Sequence, residues 1–122
     1  MLVDSHCHLD FDEFRDRIPE VLAEMAGAGV SHALCISVTL TDFPRVRALA
    51  EAHDNLFATV GVHPDYPDAG AVTASELVAL ADHPRVLAIG ETGLDYYRLQ
   101  GDLEWQRARF RTHIRAAREC GK

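Results

Sequence analysis

The chain has 122 residues, 48% of them hydrophobic and 25% charged, a composition that fits one globular domain with its own core and excludes a disordered chain. Its net charge is −7, from 12 basic and 19 acidic residues, so it lacks the basic surface by which nucleic-acid binders usually hold phosphates. Any action on phosphates then requires bound cations to supply the attraction locally.

No apolar run approaches the roughly 20 residues that a membrane helix needs. Met1-Leu2-Val3-Asp4-Ser5-His6 has no basic n-region and no apolar stretch after it, which predicts a chain without a secretory signal and a cytoplasmic location. Cys7, Cys35 and Cys120 have spacings that suit neither a disulfide framework nor a C-x-x-C zinc site. Cys35 lies in an apolar run and reads as a small buried hydrophobe.

Four short apolar runs follow one another: Leu2-Val3, Ala33 to Val38, Leu56 to Val62, and Val86 to Gly90. The last three are near-continuous, as strands are when both faces are covered in a parallel sheet with helices outside. Between them lie segments of helical period. Pro19 opens the first, with Val21, Leu22, Met25 and Ala26 as its stripe and Gly27 and Gly29 as its stop. The second carries Val46, Leu49, Ala50 and His53, with Thr41 as the expected cap. Thr73 and Glu76 have capping-box spacing for the third, which runs through Leu77, Leu80 and Ala81 to His83-Pro84. The fourth spans about Leu103 to Cys120, with Phe110, Ile114 and Ala117 as one stripe and Gly121 as the stop.

Strand and helix thus alternate four times, and right-handed crossovers make the strands parallel. An open doubly wound sheet and a β/α barrel both fit this order; four units amount to half of an eight-unit barrel.

Two motifs follow strand runs directly. In Asp4-Ser5-His6-Cys7-His8, residues two apart on an extended backbone point the same way, so His6 and His8 present two imidazoles to one divalent cation. Cys7 then points to the opposite face, where packing is its expected role. In Gly90-Glu91-Thr92-Gly93-Leu94-Asp95-Tyr96-Tyr97, Glu91 closes an apolar run. A lone carboxylate near the core is costly to ionise, a cost that metal ligation removes, and its two oxygens can bridge two cations. His63, in Gly61-Val62-His63-Pro64, faces the same mouth. It suits either orientation of a substrate phosphate or metal-held water, or a hydrogen-bonded turn before Pro64. His32, His53, His83 and His113 are placed on helices or at helix ends and given no role. Three strand ends therefore deliver His6, His8, His63 and Glu91 to one side of the sheet, which points to a divalent-metal hydrolase of open substrate.

With these residues assembled, the chain resembles the TatD family of metal-dependent deoxyribonucleases. Val3 to Asp10 resembles the family's opening block, Gly61-Val62-His63-Pro64 its central block, and Gly90 to Tyr96 its most specific signature. The segment from Trp105-Gln106 through Phe110 to Lys122 is similar to its next helix.

The resemblance implies an α/β fold, a TIM-type β/α barrel of the metal-dependent hydrolase kind, of which residues 1–122 are a single domain carrying the first four βα units. It implies one or two divalent cations (Mg, Mn or Zn), with His6 and His8 as ligands of one and Glu91 shared by both. His63 falls at the mouth as a substrate-binding position. The implied substrate is DNA, cleaved at phosphodiester bonds. The family's remaining histidine ligands and its catalytic aspartate correspond to positions beyond Lys122. Half a barrel has unpaired end strands and an uncovered inward face, so self-association or a companion chain is expected. The alternatives are another His-x-His metal hydrolase, acting on phosphate monoesters, amides or esters, and a non-catalytic remnant serving as an assembly module.

Overall fold

The computed structural model describes residues 1–122. Four strands, β1 (Leu2–Cys7), β2 (Val30–Cys35), β3 (Leu56–Val60) and β4 (Val86–Ile89), alternate with four helices, α1 (Ile18–Gly27), α2 (Phe43–Ala52), α3 (Ala74–Ala81) and α4 (Glu104–Cys120). All strand pairs are parallel and the order is β1-β2-β3-β4. A doubly wound sheet reverses its strand order at a switch point. This sheet never reverses, so it is wound in one direction, as four consecutive units of a barrel are.

The core lies between the sheet and its helices. Ala33 and Cys35 of β2, Leu56, Ala58 and Val60 of β3, and Val86 of β4 meet Phe43, Val46 and Ala50 of α2 and Leu77 and Ala81 of α3. Alternation along the strands puts His32, Phe57 and Leu87 on the other face, where Leu87 is 48% exposed. The expectation of two covered faces is met here on one face only. Cys7 packs beside Cys35, its register partner, with the sulfurs 3.8 Å apart, and all three cysteines are free thiols.

Several local readings are corrected. β1 runs on through Asp4, Ser5 and His6 to Cys7, longer than its apolar pair Leu2-Val3 suggests, because parallel pairing with β2 extends it. A short 3₁₀ turn, Asp12–Phe14, precedes α1. His32 lies on β2, not on a helix. Thr41 does not cap α2; the Thr39 hydroxyl accepts the Asp42 N–H at 3.0 Å and donates to the Asp42 carboxylate at 2.7 Å, folding the turn that leads into the helix. Thr73 does cap α3, accepting the Glu76 N–H at 3.2 Å. Ile114 is exposed, and α4 instead buries Gln106, His113 and Ala116. Polar residues can occupy that stripe because backbone groups at the strand ends satisfy them.

His113 is fully buried. Its Nδ1–H donates to the Arg109 carbonyl at 2.8 Å, which leaves Nε2 to accept the Val62 N–H at 3.0 Å. A carbonyl can only accept and an N–H only donate, so the neutral tautomer is determined by its partners. Lys122, the sole lysine, places its three ammonium hydrogens on the carbonyls of Ala81 (2.5 Å), His83 (3.1 Å) and Val86 (2.6 Å). It ties the end of α4 to the α3–β4 turn. No helix is long and apolar enough to cross a membrane.

Desolvation holds the His113 pKa below its ordinary value, so the unfolded chain takes up a proton first as pH falls. The stabilisation is complete above about pH 6.5 and declines below it, until the lowered folded-state value is passed. His113→Gln should flatten that acid-side slope in urea melts at several pH values. His113→Leu should lower stability by about 1–3 kcal/mol at pH 7.5 by orphaning the buried Val62 N–H.

Candidate metal centre

Hydrogen bonds running sideways between strand ends place the chemistry. The Ile36 N–H donates to the Cys7 carbonyl at 2.8 Å, the His63 N–H to the Val38 carbonyl at 2.9 Å, and the Glu91 N–H to the Ser37 carbonyl at 2.8 Å. The Thr59 hydroxyl donates to the Gly90 carbonyl at 2.6 Å and accepts the Ser37 N–H at 3.2 Å. Residues that follow β1, β2, β3 and β4 are therefore held in one rim at the C-terminal edge of the sheet. The Gly90–Glu91 peptide bond is cis.

On that rim His6, His8 and Glu91 each offer a ligand atom, all within 4.8 Å of one another. The two imidazole Nε2 atoms are 3.2 Å apart. Glu91 Oε2 lies 3.6 Å from His6 Nε2 and 4.0 Å from His8 Nε2. Ligands bound at about 2.0–2.1 Å around one cation stand roughly 3.0–3.4 Å apart, so the imidazole pair already has a coordination spacing and the carboxylate needs only a small shift. The His8 Nδ1–H donates to the Ile36 carbonyl at 3.1 Å, which directs the His8 Nε2 lone pair into the cluster. Two imidazoles and a carboxylate in this arrangement fit a divalent cation, and the donor set alone selects none in particular.

His63 is brought to the same place in a different protonation pattern. Its Nδ1 accepts the Asp65 N–H at 3.0 Å, so in the neutral ring Nε2 carries the hydrogen. That Nε2 faces Glu91 Oε1 at 3.5 Å, while Oε2 faces the other two histidines. His63 thus makes the hydrogen-bonded turn after Pro64 through Nδ1 and presents its Nε2–H beside the cluster.

The profile of the family described as TatD related DNase matches residues 3–122. The chain belongs to the TatD-related DNase family. Among curated proteins it is similar to the uncharacterized metal-dependent hydrolase YcfH of Escherichia coli K12, at 36% identity over 99% of this chain and 46% of that protein. It is likewise similar to the uncharacterized metal-dependent hydrolase TatD of Mycobacterium tuberculosis, at 38% identity over 99% of this chain and 49% of that one. The crystal structure of YJJV, a TatD homolog from Escherichia coli K12, superposes with a TM-score of 0.88 at 30% identity, covering 98% of this chain and 48% of that one. A TatD-family hydrolase from Entamoeba histolytica gives 0.79 at 29% identity. The chain spans about half the length of the curated relatives it matches.

Sequence reasoning missed two supports of this TatD-type site. Gly61 is one: a Cβ there would lie 2.6 Å from the Glu91 carbonyl oxygen and 2.6 Å from the Gly90 carbonyl carbon, so only glycine lets the two strand ends approach. Its place in Gly61-Val62-His63-Pro64 was visible, but the contact across strands was not. Gln106 is the other. From α4 its Oε1 accepts the Asp95 N–H at 3.0 Å, and its Nε2 donates to the carbonyls of Asp95 (3.1 Å) and Pro64 (3.4 Å), joining the loops after β3 and β4.

Gly61→Ala should displace Glu91 and weaken divalent-cation binding by about 10- to 100-fold, measured by titration calorimetry with Mn²⁺ or Zn²⁺. His6→Ala combined with Glu91→Ala should abolish stoichiometric metal in elemental analysis. Wild-type metal content in the double variant would remove the centre.

Proposed function

We propose that this chain carries the first half of a divalent-metal-dependent phosphodiesterase centre acting on DNA, in the cytoplasm. The convergence of His6 Nε2, His8 Nε2 and Glu91 Oε2 at the C-terminal ends of β1 and β4 carries the proposal. Family membership supports the hydrolytic reading and, through the family's description, a nuclease.

A divalent cation, when bound, supplies positive charge to a phosphoryl oxygen and acidifies a water molecule. His6 and His8 would hold it through neutral nitrogens, which would leave more of its charge uncompensated than an all-carboxylate site does. Glu91 divides its oxygens: Oε2 faces the two imidazoles and would join them in holding a cation, while Oε1 faces His63. The His63 Nε2–H donates toward Glu91 and stands ready to donate to a substrate oxygen at the same rim. The Ile36 carbonyl keeps the His8 ring from turning. The acid net charge of the chain is compatible with a phosphate substrate because attraction is concentrated at this point.

A partner along the sheet edges belongs to the same proposal. Leu2 and Val3 on β1 are 62% and 61% exposed, and neither β1 nor β4 has a neighbour on its outer side. Pairing with a second copy or a companion chain would cover them.

With the second half of the barrel supplied by a companion chain, incubation with a single-stranded oligodeoxynucleotide and Mg²⁺, Mn²⁺ or Zn²⁺ should release shorter products. Parallel p-nitrophenyl phosphate, ester and amide substrates should turn over far more slowly. Faster turnover of the small substrates would overturn the DNA assignment. Light scattering should return a mass above the 13.5 kDa of one chain, and a monomer at high concentration would count against the edge partner.

A further inference from the structure

Two thiols face each other on the helix side of the sheet. Cys7 and Cys35 are register partners on the adjacent parallel strands β1 and β2, and their sulfurs stand 3.8 Å apart. Both are free; Cys35 is fully buried and Cys7 is partly exposed. The Cys7 thiol has two acceptors in reach, the Leu34 carbonyl at 3.4 Å and the Cys35 sulfur. Neighbouring strands lie about 4.8 Å apart, inside the window of roughly 4.4–6.8 Å between Cα atoms that a disulfide spans. Core packing at these two positions would be served as well by alanine or valine, so the pairing of sulfur with sulfur is a chemical feature.

The pair is joined to the His6, His8 and Glu91 cluster through the backbone. Cys7 stands between His6 and His8 in sequence. Its carbonyl accepts the Ile36 N–H at 2.8 Å, and the Ile36 carbonyl in turn accepts the His8 Nδ1–H at 3.1 Å. Cys7-His8 and Cys35-Ile36 therefore form one patch, which carries both sulfurs and the bond that aims His8. The two strands are unequally held. β2 is bonded on both sides, by β1 and by β3, whereas β1 pairs with β2 alone and has a register irregularity between Asp4 and Cys7. Shortening the 3.8 Å separation to the bond length of about 2.05 Å therefore draws β1 toward β2. His6 and His8 ride on the segment that moves. Glu91, tied to Ser37 just past β2, stays with the strand that does not.

We propose that Cys7 and Cys35 are an oxidation site: a hydroperoxide closes them to a disulfide, and the closed form holds a divalent cation less tightly at His6, His8 and Glu91. The effect on the cation rests on the reading of that cluster as a metal centre. One molecule of hydrogen peroxide completes the chemistry. The Cys7 sulfur, the more exposed of the two, displaces hydroxide from the peroxide; an S–O bond forms as the O–O bond breaks, and the hydroxide leaves with the Cys7 proton as water. The Cys35 sulfur then attacks the sulfenic sulfur; the S–S bond forms as the S–O bond breaks, and the departing hydroxide takes the Cys35 proton as a second water. Two electrons pass from the sulfurs to the peroxide. With its partner already 3.8 Å away, the sulfenic acid is captured before further oxidation, and a thiol reductant reverses the bridge.

The test treats the reduced 122-residue chain with one equivalent of hydrogen peroxide in chelator, then counts free thiols after denaturation. The count should fall from three per chain to one, and a tryptic digest without reductant should contain residues 1–15 joined to residues 18–45. With the chelator removed, titration calorimetry with Mn²⁺ should give the oxidised chain an affinity about tenfold below the reduced one, the scale on which disturbed support of a metal-held histidine acts. Dithiothreitol should restore it. Cys120→Ala should behave as the wild type does, and Cys35→Ala should yield no joined peptide. Absence of that peptide from the wild-type digest, or its presence with unchanged Mn²⁺ affinity, would sink the proposal. Because the bridge is read without metal, the two readings fail separately. A reduced chain that takes up no Mn²⁺ overturns the metal centre, whereas a reduced chain that binds Mn²⁺ but forms no bridge overturns only the oxidation site.

Discussion

Backbone hydrogen bonds between strand ends are the constraint on which the site depends. Cys7 is tied to Ile36, Ser37 to Glu91, Val38 to His63 and Val60 to Gly90, each at 2.8–2.9 Å. Three of these links join neighbouring strands past the point where regular strand geometry stops, and Ser37–Glu91 reaches from the end of β2 across to the end of β4. They turn four chain segments, far apart in sequence, into one rim. Side chains projecting from such a rim inherit its rigidity, which is why His6, His8 and Glu91 meet at coordination spacing without being bonded directly to one another by the backbone. Gly61 is the point of closest approach, where a single methyl group would force Glu91 away.

Around the rim the molecule divides its polar groups by what holds them. Buried ones are satisfied by backbone: His113 by Val62 and Arg109, Gln106 by Asp95 and Pro64, Lys122 by three carbonyls. Asp10 is the exception: its Oδ1 is buried without a partner, and desolvation pushes its carboxyl above the ordinary value. The groups at the rim are held on one side only. His8 uses Nδ1 and frees Nε2, His63 uses Nδ1 and frees its Nε2–H, and Arg98 uses Nη1 and frees Nη2. One atom fixes each orientation while another is presented to whatever enters. The arrangement supports an electrostatic centre that is aligned before its ligands arrive, which lowers the reorganisation needed during reaction.

The α4 helix connects these two layers. Its His113 fixes the backbone immediately before His63, and its Gln106 fixes the Asp95 backbone that aims Arg98. A helix with so polar a buried stripe looks poorly amphipathic in sequence, and the apolar positions Phe110, Ile114 and Ala117 misled the reading of its inner face. Ile114 sits in solvent because residues 106 and 113, two turns apart, already occupy the face that the strand ends can satisfy.

The sequence by itself determined the alternation of strand and helix, the cap at Thr73 and the identity of the four residues at the rim. Each is a short-range property: period, capping spacing and residue type at a strand end are written within a few positions of one another. It left the doubly wound and barrel arrangements equal, because both use the same units and differ only in which strand lies beside which. Tertiary structure decided that order, and with it the sideways bonds, the Gly61 contact, the protonation pattern that separates His63 from His8, and the support of Arg98 from α4. Apart from the Asp65 N–H two residues from His63, these depend on partners roughly ten to fifty positions away, and no local pattern encodes the distance between two segments that only folding brings together.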